Sequence, residues 1–342
     1  MRRLVLFVSL ALALLSGVGA FNWWIDPFGE VWKPAAVAEA RKAGCLLSQE
    51  LVGVRYYSFK LDVFEHRPTR TFVVGSSRVL KIAPHPGEQS FANLGYPGSG
   101  PETILKLFRA LPPKPAQTVY FGVEAFWLND TYVLPATDPS DSSIAEYLLS
   151  RNAFERSVEL ARQSHYLTSD RWQRATIGRG CVIQRNYPSI AWRLDGSRVW
   201  SWELDPKRYP KFGATPYTGD LSTWRNGYFA DWHSLDEERV RALEQALSLA
   251  RTRGWHVVGF APPEPPHMLH VLATDPRLAP QWHGFLRLMP RVFARYGFTW
   301  VSLEDGRRLG CRSNQFPDAF HTDAACSLRV RDRLDEAARR AD

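Results

Sequence analysis

Short apolar runs that end in glycine or proline, each followed by a stretch of helical character, constrain this chain more than any other feature. Thr71-Phe72-Val73-Val74 runs into Gly75, Thr118 to Phe121 runs into Gly122, and "WHVVGF" (255–260) is halted by prolines. A further short run lies near Phe91, and "FTWVSLEDG" (298–306) supplies the last. Strands covered by helices on both faces read as continuous apolar runs of this kind. The intervening "PETILKLFRAL", "SLDEERVRALEQALSLARTRG" and "QWHGFLRLMPRVFARYG" read as helices, as does the closing "HTDAACSLRVRDRLDEAARR". Ser234 with Glu237 has the spacing of a capping box, and Gly254 and Gly297 stand where helices stop. Strands alternating with helices predict an α/β fold with a doubly wound, mostly parallel sheet. Two more helical stretches fall near Ile144–Leu149 and Phe154–Arg162.

The N-terminus sets the compartment. Met1-Arg2-Arg3 precedes an apolar run from Leu4 that continues through Trp23, Trp24 and Ile25. About 20 apolar residues suffice to cross a bilayer, and paired tryptophans suit its interface. Val18-Gly19-Ala20 would also suit cleavage of a secretory leader. Either way the arginines stay inside and residues beyond Ile25 are exported, so the expected place is the cell envelope. Segment 1–25 is thus the signal-anchor or leader, 26–65 a juxtamembrane segment, and 66–342 the α/β domain. An exported chain can oxidise its four cysteines. Cys311 and Cys326 are the preferred pair, with Cys45 and Cys181 as the second. No Cys-x-x-Cys occurs, and His267-x-x-His270 has no third ligand near it, so no metal and no cofactor is expected.

Between about 165 and 233 the periodicity fails. Six of the thirteen tryptophans fall there among many arginines. A net charge of +8 favours anionic surroundings. Basic and aromatic residues interleaved can grip nucleic acid, but an exported chain does not meet it. Stacking on sugars, contact with a lipid surface, or packing as a lid are the readings this insertion leaves.

Three loops at strand ends carry the chemistry. Gly75-Ser76-Ser77-Arg78 offers a serine, and Asn93-Leu94-Gly95-Tyr96-Pro97-Gly98 offers backbone N–H groups. Asp318-Ala319-Phe320-His321 offers a base with its orienting carboxylate. A serine becomes a nucleophile only when a base takes its proton, and the base needs a fixed tautomer. In this order and at these positions the loops resemble the blocks of the SGNH/GDSL hydrolase superfamily. The chain is similar in particular to its membrane-anchored envelope relatives, the accessory proteins of alginate O-acetylation and teichoic-acid D-alanylation. The resemblance implies a flavodoxin-like three-layer sandwich, with Ser77, His321 and Asp318 as catalytic triad. It implies the Ser77 and Gly98 N–H groups as oxyanion donors, and Arg78 and Asn93 as substrate-binding residues. Where the family carries Gly-x-Asn this chain has Gly122-Val123-Glu124. An ionised Glu124 at the oxyanion site would repel the developing charge unless protonated or turned away, and Arg78 would either compensate for it electrostatically or pair with Glu124 in a purely structural role. The implied activity is acyl-ester hydrolysis or O-acyl transfer, usually of acetyl, on a glycan or other envelope polymer. A membrane-bound acyltransferase is the implied partner. A non-catalytic binding or scaffold protein of the same fold is the alternative.

Overall fold

The computed structural model describes residues 2–25, 46–48, 56–114, 117–134, 144–162, 190–200, 203 and 227–341. The chain divides into two compact units, residues 1–56 with 140–194 and residues 57–139 with 195–342. The excursion from the α/β unit therefore begins near Ser140, ahead of the stretch near 165 where sequence periodicity is lost.

The first unit contains α1 (Arg2–Ile25), β1 (Leu47–Ser48), α4 (Ile144–Leu149), α5 (Arg151–Arg162) and β5 (Ile190–Trp192). Its α1 is long and apolar enough to cross a membrane, with a mean hydropathy of 2.4 over its most apolar window. Most of its leucines are exposed. Among the described residues its C-terminal part is packed: Gly19 lies beside Leu149, Phe21 meets Phe154 edge to face, and Asn22 donates to the Leu148 carbonyl at 2.7 Å. β1 and β5 pair antiparallel, Leu47 opposite Trp192.

The second unit holds α2 (Tyr56–Glu65, whose first residue falls in the other unit), β2 (Thr71–Val74), β3 (Phe91–Asn93), α3 (Pro101–Ala110), β4 (Thr118–Gly122) and β6 (Arg198–Trp200). It continues with α6 (Glu237–Thr252), β7 (His256–Phe260), α7 (Pro266–Thr274), α8 (Ala279–Arg295), β8 (Thr299–Val301) and α9 (Ala324–Ala341). Five strands form one sheet in the order β3-β2-β4-β7-β8, every pair parallel. The mostly parallel, doubly wound α/β fold anticipated from the strand–helix alternation is the one observed. Its apolar strands are buried from both sides: Phe72 packs on Phe64, Phe108 and Trp255, while Val73, Tyr120 and Val258 join Val330 and Leu334 of α9.

Two local expectations change. α6 begins at Glu237, and its cap is Asp236, whose carboxylate accepts from the N–H groups of Glu238 and Arg239. Ser234 donates instead to Asp130 at 2.9 Å. The prolines after β7 end the strand but also open α7, since proline fits the first helical turn, where no N–H is needed.

The strand order reverses at β2, which is flanked by β3 on one side and β4 on the other. Open α/β sheets bind ligands at such a switch point, outside the carboxyl ends of the strands. Ser76 and Ser77 follow β2, Glu124 follows β4, and residues 261–264 follow β7.

Candidate active site

The nucleophile turn is built by close approach. Gly75 has φ +149°, and a Cβ there would meet Val79 at 2.9 Å and the Gly122 carbonyl at 3.0 Å. Glycine thus lets β2 turn sharply beside β4. Ser76 caps the short helical turn Ser77–Val79, its Oγ accepting from Arg78 N at 3.1 Å. Ser77 sits first in that turn and is half-buried.

The base loop is built by its own aspartate. Asp318 Oδ1 accepts from Phe320 N at 2.8 Å and His321 N at 2.7 Å, and Asp318 Oδ2 takes His321 Nδ1–H at 2.8 Å. These bonds explain the three-residue spacing, because one carboxylate folds the turn and fixes the ring. His321 Nε2 then lies 3.0 Å from Ser77 Oγ. The structure therefore brings Ser77, His321 and Asp318, the three residues singled out in the sequence, into one hydrogen-bonded chain. Burial alone would raise the Asp318 pKa. The hydrogen bond and charge of His321, with the two backbone donors, outweigh it and hold Asp318 down to about 2. Burial lowers the His321 pKa below its ordinary value and Arg198 adds to this, while Asp318 opposes it. The imidazole is consequently neutral at pH 7, the form a general base must have. Cys311 and Cys326 are bonded and buried, bracketing the loop from both sides.

The glycine-rich loop is a second tight turn. Pro97 and Gly98 occupy its centre, Gly98 with φ +70°, and Ser99 N closes it onto Tyr96 O at 3.2 Å. Proline followed by a positive-φ glycine is the type II signature. Tyr96 N and Ser99 Oγ both donate to Gly75 O, at 2.8 and 3.0 Å, which ties this turn to the nucleophile turn.

Three of the expected site residues take other roles. Asn93 is fully buried, its Nδ2 donating to Val79 O and Ile82 O and its Oδ1 accepting from Gly95 N. It braces the two turns and has no group left for substrate. Arg78 is also buried, and all five of its side-chain N–H groups are engaged. Nε donates to Phe320 O (3.1 Å), one terminal nitrogen to Glu124 (2.8 Å) and Glu264 (2.6 Å), and the other to Pro262 O (3.2 Å) and Pro263 O (2.6 Å). Its expected contact with substrate is corrected accordingly. Glu124 accepts from Arg78 and, at 2.5 Å, from Ser76 Oγ. Its carboxylate is buried and held by Arg78 and Ser76, so it neither donates to an oxyanion nor stands bare beside one.

Glu264 was not foreseen, although a lone acidic residue inside "APPEPP" at a strand end is an unusual placing. Burial, with Glu124 and Glu304 nearby, pushes its pKa up against the pull of Arg78. Tyr228 was also missed. Its ring lies 4.9 Å from Phe320 and 4.9 Å from Phe126 and stacks on Tyr132 at 5.2 Å, forming an aromatic wall against the base loop. Trp200 presents its edge to His321 at 6.4 Å, but its faces are held by Arg198 and Lys81. With Trp192 and Trp232 also buried, the described tryptophans of 165–233 serve packing. Cys45, Cys181, His165, Trp172, Trp202 and Trp224 lie outside the described residues. Among the described residues no group of three histidines, cysteines or carboxylates could hold a metal ion.

No protein family and no curated protein matches this chain. Among solved structures it is similar to a chain described as a proposed platelet activating factor from Streptococcus pneumonia, at 10% identity and a TM-score of 0.40. The match covers 82% of this chain and 92% of that one. At that score and identity the likeness carries no argument about activity, which rests on the site itself.

Proposed function

We propose that this chain is a serine-dependent acyl-ester hydrolase or O-acyltransferase of the cell envelope, acting on an acylated, usually acetylated, glycan or related polymer. The observation that carries the reading is the unbroken chain Ser77 Oγ, His321 Nε2, His321 Nδ1, Asp318 Oδ2, with links of 3.0 and 2.8 Å. Ser77 Oγ attacks the acyl carbonyl carbon while His321 Nε2 takes its proton. The carbonyl electrons move to oxygen, where the N–H groups of Ser77 and Gly98 hold the negative charge. As the intermediate collapses, the C–O bond to the alcohol breaks and His321 returns the proton to the leaving oxygen. Water or a second hydroxyl then gives its proton to His321 and displaces Ser77 from the acyl group. The aromatic wall of Tyr228, Phe320 and Phe126 favours transfer, since excluding water protects the acyl-enzyme.

The envelope placing is supported by α1. A 24-residue helix is about 36 Å long, enough to cross a bilayer core of about 30 Å. A membrane-bound acyltransferase would be the chain's partner. Fluorophosphonate labelling tests the whole reading: modification at Ser77 is expected, lost in Ser77→Ala. An unreactive native protein would favour the non-catalytic scaffold, the reading to which Glu124 in place of an amide donor lends weight.

A further inference from the structure

We propose that Arg78 is the positioning residue of this site, setting the distance between nucleophile and base; the inference rests on the Ser77–His321–Asp318 reading above. Ser77 and His321 are 244 positions apart and sit on two separate loops. Proton transfer between them needs a heavy-atom separation of about 2.6–3.2 Å. Local geometry fixes each loop internally but does not fix one against the other.

Arg78 joins them. It is the residue after Ser77, and its Nε donates to the carbonyl of Phe320, the residue before His321. That carbonyl and the His321 N–H belong to one peptide plane. The oxygen end accepts from Arg78 at 3.1 Å and the N–H end donates to Asp318 at 2.7 Å. The plane from which the imidazole springs is held at both ends. The remaining four donors tie the guanidinium to Glu124 beyond β4 and to Pro262, Pro263 and Glu264 beyond β7. Neighbouring strands of the sheet thus dictate where Arg78 stands, and Arg78 dictates where the two loops meet. A planar fork of five donors meets this demand, and the three donors of a lysine ammonium do not. Two carboxylates offset the burial of the cation. Ser76 Oγ steadies one of them, Glu124, as well as accepting from Arg78 N.

The test measures kinact and KI for a fluorophosphonate probe on the full chain, alongside its thermal melting. Arg78→Lys is expected to keep KI and to lose about 10- to 100-fold in kinact, the effect of displacing reacting groups by about 1 Å. Arg331→Lys, which alters a buried arginine away from the site, is expected to lower the melting temperature and leave kinact unchanged. A folded Arg78→Lys protein with native kinact, or an equal loss of kinact in Arg331→Lys, overturns the proposal. Should Arg78→Lys not fold, Ser76→Ala takes its place. It unties Glu124 and is expected to lose about fivefold in kinact at constant KI; unchanged kinact overturns the proposal. A native protein that never reacts fails the Ser77 reading itself, a result distinct from native labelling with unaffected variants.

Discussion

Two buried arginines of the α/β unit meet the same physical problem in opposite ways. Arg78 is used edge-on: every N–H donates, and the acceptors come from three separate segments. Arg331, on α9, is used largely face-on. Its guanidinium lies 4.1 Å from the Phe91 ring centroid and 5.5 Å from that of Tyr120, with hydrogen bonds to Asp335 and Glu88 at 2.9 Å each. Asp335 also accepts from Tyr120 and faces His85 Nε2 at 2.7 Å. Stacking tolerates small slides, so Arg331 fastens a helix to a sheet. Five directed hydrogen bonds tolerate few, so Arg78 fixes loops in place. Burial of a charge is common to both, and directionality separates them.

The strongest challenge to that contrast is removal of the groups Arg78 is said to align. Ser77→Ala or His321→Ala should each lower acyl-ester turnover by about 10⁴- to 10⁶-fold, and the double variant should be scarcely worse, because triad members act as a unit. Hydrolysis of p-nitrophenyl acetate measures this. Near-native turnover in either single variant would leave Arg78 with nothing to position.

Arg331→Ala should separate stability from catalysis. It removes the cation shared by two carboxylates and should cost about 3–5 kcal/mol in urea unfolding, with turnover per folded molecule retained. Removing the disulfide with Cys311→Ser and Cys326→Ser should cost about 3 kcal/mol, given the 15-residue separation. The base loop then keeps the bonds of Asp318 and Arg78, so native kinact in that double variant would sharpen the case for Arg78.

Acid should affect the site mildly and in one direction. The His321 pKa lies below 6.5, so the neutral base persists at pH 7, and kinact should fall only as pH drops through a midpoint under 6.5. Asp318, held near 2, stays ionised throughout that window. A midpoint above 6.5 would mean that the charge and hydrogen bond of Asp318 outweigh burial and Arg198. The smallest effect is expected for Lys106→Ala, on the outer part of α3, which should change melting and kinact within error, as surface substitutions do.

Much of this architecture is local and was legible without coordinates. Apolar runs ended by Gly75 and Gly122 announce buried parallel strands, because a strand covered on both faces has no polar side to show. The Asp318–His321 spacing is equally local, since one carboxylate bonds two N–H groups and a ring within four residues. The Cys311–Cys326 pairing needs only a short loop. A structural pair of Arg78 with Glu124 was one of the readings the sequence left open, but the choice of it, and the burial of Asn93, could not be read this way. Each depends on which strand ends are neighbours, and β4 and β7 adjoin across more than a hundred residues. Glu124 looked like a charge set against an oxyanion, and tertiary contact with Arg78 and Ser76 makes it part of a frame. Nothing in the sequence around His85 points to Asp335, which faces it from 250 positions away. Sequence period reports how a segment faces its own surroundings. Which distant donor meets which buried acceptor is decided when the sheet assembles, because an unpaired buried charge is too costly to leave standing.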